Sequence, residues 1–141
     1  MNRYVFIDQY SAPFTRAVQI VDADEPPQFT PPGPSGYWIQ VSINTPVQVG
    51  WKGDYINNSW VFTELTYQEN VAVLDARARQ LFTQAANWLT VNPLQYKLDL
   101  GVASTSETEL LLAYKQYCIA ISEIKKQTGY PYTINWPVAP F

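Results

Sequence analysis

The side chains in this sequence that could do chemistry are a few carboxylates and one thiol, because the chain holds no histidine. Histidine is the commonest general base and the commonest neutral metal ligand, so its absence removes catalytic triads and typical zinc sites. The densest carboxylate cluster is Asp22, Asp24 and Glu25. Carboxylates can act in pairs in glycosidases or bind calcium, but the Gly-turn spacing of a calcium loop is missing, which favours a charged loop.

The single cysteine, Cys118, cannot form an internal disulfide, which is typical of a reducing compartment. It lies in an apolar helical stretch, and this favours a buried structural thiol over a nucleophile. The glycines are scattered and form no phosphate-binding loop. We therefore predict no catalytic, cofactor-binding or metal-binding residues, and a protein that acts by binding another protein rather than as an enzyme.

The composition fits about one domain with a partner-binding surface. The 141 residues are 47% hydrophobic and 15% aromatic, with only 15% charged. Abundant aromatic residues with few charges are typical of partner-binding surfaces, although a well-packed core explains them as well. The net charge of −3 argues against nucleic-acid binding, which needs many Lys and Arg contacts to phosphates.

No window reaches the ~18 consecutive apolar residues that indicate a membrane span. Asp8 and Gln9 stand where a signal peptide needs its apolar stretch. We therefore expect no membrane contact, and we expect the protein to stay in the compartment where it is made.

The first half of the chain predicts a small antiparallel sheet. Its strand segments are rich in β-branched and aromatic residues or alternate in polarity. The predicted strands are residues 3–8, 14–21, 37–43, 47–51 and 59–63. Ser11 and Pro13 predict a turn between the first two strands, and Gly53-Asp54 predicts the turn of the last hairpin. Between the strands lies a proline-rich segment, residues 22–36, which we expect to be an exposed, extended loop that reaches toward a partner.

The second half changes to a helical period. Apolar residues recur three and four apart over residues 71–88 and 110–124, as in heptad seams. The predicted helices span about 67–90 and 106–127, with capping boxes at Thr66/Glu69 and Ser106/Glu109 and a C-cap at Gly129. The seams can pack on each other, on the sheet or on another copy. An ordinary αα-hairpin is favoured, yet two helices bury only part of such surfaces, so weak self-association is expected.

The predicted fold class is therefore α+β, with a β-rich lobe over residues 1–64 and a helical lobe over residues 65–141. The last residues, 130–141, form an extended Trp-Pro tail. Its apolar side chains, which include Ile134, Trp136 and Phe141, are expected to fold back onto the helices, because a disordered tail has few aromatic residues.

The tryptophans of the predicted sheet are candidate partner contacts. Trp38, Trp51 and Trp60 cannot all be deeply buried in so small a sheet, and no element is available to cover its second face. An exposed strand edge or apolar face is a binding site, and aromatic residues there act as anchors. Core packing explains these residues equally well.

The most informative motif lies near the C-terminus. The runs AYKQYCI (113–119), GYP (129–131) and INWP (134–137) occur in that order, before a final Pro140. Earlier, the runs VQVGW (47–51) and WVF (60–62) form a weaker hairpin pattern. Together these motifs resemble the tail-fibre assembly proteins, or fibre chaperones, of tailed bacteriophages, over about residues 47–63 and 107–140. Tyr114 stands where that family often has Trp, and residues 1–46 resemble no family.

The resemblance implies a chaperone that helps a trimeric tail fibre fold and align, engaging the C-terminal region of the fibre in the host bacterial cytoplasm. It implies that the β-rich lobe grips the fibre and that the helical lobe is the part shared within the family. The implied partner-binding residues are Trp38, Trp51, Trp60 and Phe62. The implied shared-lobe residues are Tyr114, Lys115, Tyr117, Trp136 and Pro137.

Two alternatives stay open. The protein could be a cap or adhesin retained on the fibre tip of the virion, where exposed aromatic rings stack on host-surface glycan. It could also be a free-standing carbohydrate-binding module, which leaves the two helices unexplained. An enzyme is the remotest reading, because the sequence holds no histidine.

Overall fold

The computed structural model describes residues 1–8, 13–31 and 35–141. Within them a five-stranded antiparallel sheet comes first and helices follow, so the predicted α+β class is confirmed. The chain divides into two compact units, Met1–Val73 and Leu74–Phe141. The turn predicted at Ser11, and Pro32 and Pro34 of the proline-rich segment, lie outside the described residues.

The sheet has the strand order β3-β1-β2-β4-β5. Its strands are β1 (Asn2–Asp8), β2 (Arg16–Ala23), β3 (Gly36–Val41), β4 (Lys52–Ile56) and β5 (Ser59–Thr63). All neighbouring strands run antiparallel. β1 therefore pairs on both sides, with β2 and β3.

One face of the sheet forms the core of the first unit. Val5 and Ile7 of β1 pack there with Ala17, Ile39 and Phe62. A bulge in β2 makes this packing possible. Phe6 pairs with Gln19 but Ile7 pairs with Ala17, so Val18 is the extra residue. Because of this extra residue, Ile20 pairs with Val5 and Ala17 pairs with Ile7, so both lie on the core face although they are three positions apart in the chain.

The opposite face of β1 is buried as well, so the expectation of an uncovered second face is wrong at the centre of the sheet. Tyr4 and Phe6 are only 3% and 1% exposed. Phe6 meets Trp38 of β3 edge-on, with ring centroids 5.3 Å apart, and Trp38 meets Phe29 in the same way at 5.6 Å. The Trp38 indole N–H also donates to the Phe29 carbonyl at 2.8 Å. Part of the proline-rich segment therefore packs on the sheet rather than lying free.

The last hairpin also differs from the prediction. Residues 47–51 form loop and turn rather than a strand, and β4 begins at Lys52. The turn lies at Asn57-Asn58, whose φ values of 50° and 61° suit the two-residue type I′ turn that matches strand twist. Gly53, predicted as a turn residue, lies inside β4 opposite Phe62. A Cβ at Gly53 would come within 2.8 Å of the Phe62 ring, so glycine is needed there for packing.

The hairpin joins the rest of the sheet through a short run of backbone hydrogen bonds. The Ala17 N–H donates to the Trp51 carbonyl at 2.9 Å, and the Gly50 N–H donates to the Ala17 carbonyl at 2.8 Å. The only residues paired between β2 and β4 in the described chain are Arg16 and Lys52. The junction between β2 and β4 therefore has the fewest paired residues of any strand junction in the sheet.

The described residues contain three helices where the sequence predicts two. They are α1 (Tyr67–Val91), α2 (Leu94–Asp99) and α3 (Thr105–Ser122), followed by a 3-10 turn at Ile124–Lys126. Pro93 ends α1 as predicted, but it also stands at the N-cap of α2. The six residues of α2 are too few to show a helical period in the sequence, which is why it was missed.

The helix starts show one correct and one displaced cap. At α1 the Thr66 hydroxyl accepts from the Glu69 N–H, and the Glu69 carboxylate accepts from the Thr66 N–H, as predicted. At α3 the capping box is formed by Ser104 and Glu107, two residues before the predicted pair. The prediction was wrong because the sequence contains two overlapping Ser-x-x-Glu matches, and no local rule separates them.

We expect the first unit to lose stability in acid partly through Glu69. Its carboxylate contacts the Lys52 ammonium, and this contact, with the Thr66 N–H, lowers the pKa of Glu69. A pKa lower in the folded than in the unfolded chain means that ionised Glu69 stabilises the fold above about pH 4.3. This stabilisation is lost as the pH falls through the lowered value.

The measurement is the urea midpoint of unfolding over a pH series from neutral to about pH 3. Glu69→Gln should have a lower midpoint at neutral pH and a shallower acid decline than the wild type. The matched control is Glu64→Gln, at an exposed carboxylate with no salt bridge in the described residues. Identical acid profiles for wild type and Glu69→Gln would contradict the assignment.

Candidate functional site

A groove lies between the two outer strands of the sheet. In the described chain β3 pairs only with β1, and β5 pairs only with β4, so each has one unpaired edge. The groove has a volume of about 520 Å³. Its lining residues are Ile39, Gln40, Val41, Ser42 and Thr45 on one side and Tyr55, Asn58, Ser59 and Trp60 on the other. Both outer strands therefore contribute to one depression.

The lining of the groove is aromatic and polar, and among the residues that the structure describes it contains no charged side chain. Tyr55 and Trp60 are cross-strand neighbours whose ring centroids lie 5.4 Å apart. Tyr55 is 62% exposed, whereas Trp60 is partly buried against the core. The rings offer an apolar contact, and the surrounding hydroxyl and amide groups offer hydrogen bonds to an uncharged ligand.

The structure places the four predicted partner-binding residues in different surroundings. Trp60 lines the groove. Trp38 lies on the other face of the sheet, between Phe6 and Phe29. Trp51 packs against the core from the loop before β4, and Phe62 belongs to the core itself at 5% exposure. Their contacts with a partner remain a prediction.

Sequence reasoning missed several residues of the groove, above all Tyr55, Gln40 and Asn58. A signal for Tyr55 was present, because an Asn-Asn pair between strand-like segments is suited to a two-residue hairpin turn. That turn would have placed Tyr55 opposite Trp60. Gln40 carried no such signal, since its place in the groove depends on the order of the strands.

The cations of the first unit are all held by internal partners. Arg3 binds Asp22 through two hydrogen bonds of 2.7 Å, and this contact lowers the pKa of the Asp22 carboxyl. Lys52 binds Glu69. The third cation, Arg16, donates to the carbonyl of Gly50 at 3.1 Å.

Some carboxylates of the first unit form ion pairs and others do not. Asp22 lies in β2 rather than in the predicted charged loop, because it pairs with Arg3 of β1, and Asp24 just after the strand binds the N-terminal ammonium. Glu25 and Glu64 are exposed and form no salt bridge with any described residue. In the described ranges, no group of three or more Cys, Asp or Glu side chains could hold a metal ion.

The second unit is built on α1 and α3. Leu81 and Ala85 of α1 pack with Tyr117 and Ile121 of α3 to form its core. Among the predicted shared-lobe residues, Tyr117 is part of this core, and Tyr114 and Trp136 pack against it. Lys115 is exposed and lines a shallow pocket beside α2 and α3, while Pro137 is half-buried in the tail.

The tail lies against the helices without regular structure after residue 132. The Gln127 side chain holds it by donating to the Asn135 carbonyl and accepting from the Asn135 N–H, both at 2.9 Å. Phe141 stacks on Trp88 with ring centroids 4.8 Å apart and meets Tyr117 edge-on at 5.8 Å. The aromatic residues of the tail are therefore used in packing.

Two smaller predictions are settled in this unit. Gly129 is not the C-cap of α3, because the helix ends at Ser122. It lies instead in a later turn, where a Cβ would come within 2.3 Å of the Thr133 carbonyl. Cys118 is partly buried against the helical core. Burial and the neighbouring Cys118 raise the pKa of Tyr114, so this phenol stays neutral at physiological pH.

Exposed apolar side chains gather around α2 and the start of α3. Leu98 and Leu112 line the shallow pocket there, and Leu100 and Val102 follow α2 in the loop.

None of the helices in the described ranges is long and apolar enough to cross a membrane.

A family model described as "Caudovirales tail fibre assembly protein, lambda gpK" matches residues 35–141. The chain belongs to this family. The match begins one residue before β3 and contains the β4–β5 hairpin, the helices and the tail. It therefore includes all the described residues that line the groove and leaves β1 and β2 outside. Searches of curated proteins and of solved structures gave no match.

Family membership confirms the resemblance seen in the sequence. It also corrects its extent, because residues 35–46, which were expected to resemble no family, lie within the match. It gives the protein a role in phage tail fibre assembly, and this role implies interaction with tail-fibre proteins. The family is one of assembly proteins rather than of known enzymes.

Phe62 should act as a core residue in stability measurements. Replacing it with Ala removes a buried ring from the cluster of Val5, Ile7 and Ile39 and should cost about 3–5 kcal/mol. The matched control is Val61→Ala on the same strand, at a side chain 42% exposed, where the loss should stay below about 1 kcal/mol. Urea unfolding measures both, and equal losses would contradict the assignment of Phe62 to the core.

Phe141 should stabilise the second unit through its ring contacts. Phe141→Ala removes the stack on Trp88 and should cost about 1–2 kcal/mol, with a loss of near-ultraviolet circular dichroism from Trp88. Val138→Ala, at a side chain 91% exposed in the same tail, should change neither quantity. A Phe141→Ala variant with unchanged spectrum and stability would show that the ring contacts are not held in solution.

Proposed function

We propose that this protein is a chaperone for the folding and trimeric assembly of a phage tail fibre, and that it binds the C-terminal region of the fibre. The observation that carries the proposal is the family match over residues 35–141. The groove between the two unpaired strands lies wholly within that match and supports a role in holding an unassembled chain.

The physical need for such a chaperone is clear. The strands of an intertwined trimer cannot pair until three chains are in register, and unpaired strands aggregate while they wait. A protein that offers its own strand edges and aromatic contacts can occupy such strands reversibly. Binding alone suffices, so we propose no catalytic step, and we place the activity in the host bacterial cytoplasm during assembly.

We assign the gripping of the fibre to the first unit. Tyr55 and Trp60 in the groove are the proposed contacts on one face, and Trp38 with Phe29 on the other. Phe62 and Trp51 act from inside, by holding the hairpin in place. β1 and β2 lie outside the family match, and this supports a first unit whose remaining parts are adapted to its own fibre.

We assign weak self-association to the second unit. The exposed side chains around α2 and α3 form an apolar surface on a small helical unit, and such surfaces favour association. Self-association would hold several fibre C-termini together, which helps three chains find a common register.

The deciding experiment is co-expression of the protein with the fibre encoded in the same phage genome, followed by an assay of soluble, detergent-resistant fibre trimer. We expect trimer only when the protein is present. Tyr55→Ala should weaken fibre binding roughly tenfold, because an exposed aromatic anchor is lost. The control is Tyr132→Ala, at a similarly exposed tyrosine, 69% against 62%, that lies outside the groove and outside the surface around α2 and α3. A fibre that trimerises equally well alone would refute the proposal.

The second candidate function is a cap or adhesin retained on the fibre tip that contacts host-surface glycan. The observation that favours it is the Tyr55–Trp60 ring pair beside uncharged amide and hydroxyl groups. Stoichiometric protein in purified virions, together with glycan binding by the isolated protein, would support this function. Its absence from virions would exclude it.

A further inference from the structure

The sheet of the first unit is curved. The evidence is that its two outer strands, β3 and β5, line the same groove. In a flat five-stranded sheet, these strands would lie about 19 Å apart at the usual spacing between neighbours. Instead Gln40 of β3 and Ser59 of β5 line the same depression. The sheet therefore curls, with a gap between β3 and β5, and Ile39 of β3 and Phe62 of β5 share one core cluster.

The gap has room for a short stretch of strand. The groove, of about 520 Å³, is open to solvent and is bounded by β3 on one side and by the β4–β5 hairpin on the other, so a short extended segment can lie in it. The backbone groups on the open edges of β3 and β5 provide hydrogen-bonding partners on both sides of such a segment.

We propose that one extended segment of the fibre polypeptide enters this groove as a sixth strand between β3 and β5. This inference rests on the proposed chaperone function and specifies how the fibre is held. The backbone of the segment pairs with both edges, and one of its side chains packs against the Tyr55 and Trp60 rings.

The charges of the first unit define the segment further. No charged side chain of the described ranges lines the groove, so a charged residue inside it would lose hydration without gaining a partner. The occupant is therefore uncharged within the groove.

The test compares two variants that add the same bulk. Gln40→Trp places an indole on the β3 wall of the groove, and Gln48→Trp adds one at an exposed position outside the lining. Both are first checked for wild-type urea midpoints. We expect the affinity for the C-terminal fragment of the cognate fibre to fall at least about tenfold in Gln40→Trp and to stay unchanged in Gln48→Trp.

Hydrogen exchange of the wild-type complex provides the second readout. Strand insertion should slow amide exchange in residues 36–41 and 59–63, the two edge strands, on addition of the fibre fragment. Amides of β1 should change little, because β1 is already paired on both sides. Equal protection throughout the unit would indicate general stabilisation and would overturn strand insertion.

The outcomes separate this inference from the proposed function. If trimer formation needs the protein, but Gln40→Trp supports it fully and no edge amide is protected, the chaperone function stands and strand insertion is overturned. If the fibre trimerises without the protein, both fail. If amide exchange in β3 and β5 slows as the concentration of the protein alone is raised, the groove is occupied by a second copy. If a neutral oligosaccharide slows amide exchange in the same strands, the groove binds glycan. Either result would overturn the inference.

Discussion

The burial of β1 on both faces is the constraint on which the first unit depends. Val5 and Ile7 build the core on one side, and Tyr4 and Phe6 are buried on the other. A strand without access to water must satisfy its backbone groups on both edges, and β2 and β3 do this. Because β1 is paired on both sides, the unpaired edges belong to β3 and β5, the outer strands of the sheet. The groove lies between them.

Several of the aromatic side chains serve packing rather than binding. In the first unit Phe6 and Phe62 are interior, and in the second unit the rings of Trp88, Tyr117 and Phe141 contact one another. A binding surface on so small a protein needs a rigid interior behind it. The open edges belong to strands of only six and five residues, which limits uncontrolled pairing with other chains.

The errors of the sequence analysis share one cause. The segment 47–51 alternates as a strand does, but the Asn57-Asn58 turn fixes a different register, in which Lys52–Ile56 pairs with β5. The two Ser-x-x-Glu matches before α3 are equivalent in sequence, and the fold uses the earlier one. Local patterns listed the available choices in each case, and contacts with distant residues selected among them.

The sequence by itself determined the α+β class, the first helix start at Thr66 and the family, because strand and helix periods, caps and terminal motifs act over a few neighbouring residues. Only the tertiary structure decided which aromatic residues face the core and which face the groove. Burial in a sheet depends on strand order and register, and a one-residue shift reverses every side chain. The groove joins Gln40 to Ser59 across the gap of a curved sheet, a relation that no local pattern encodes.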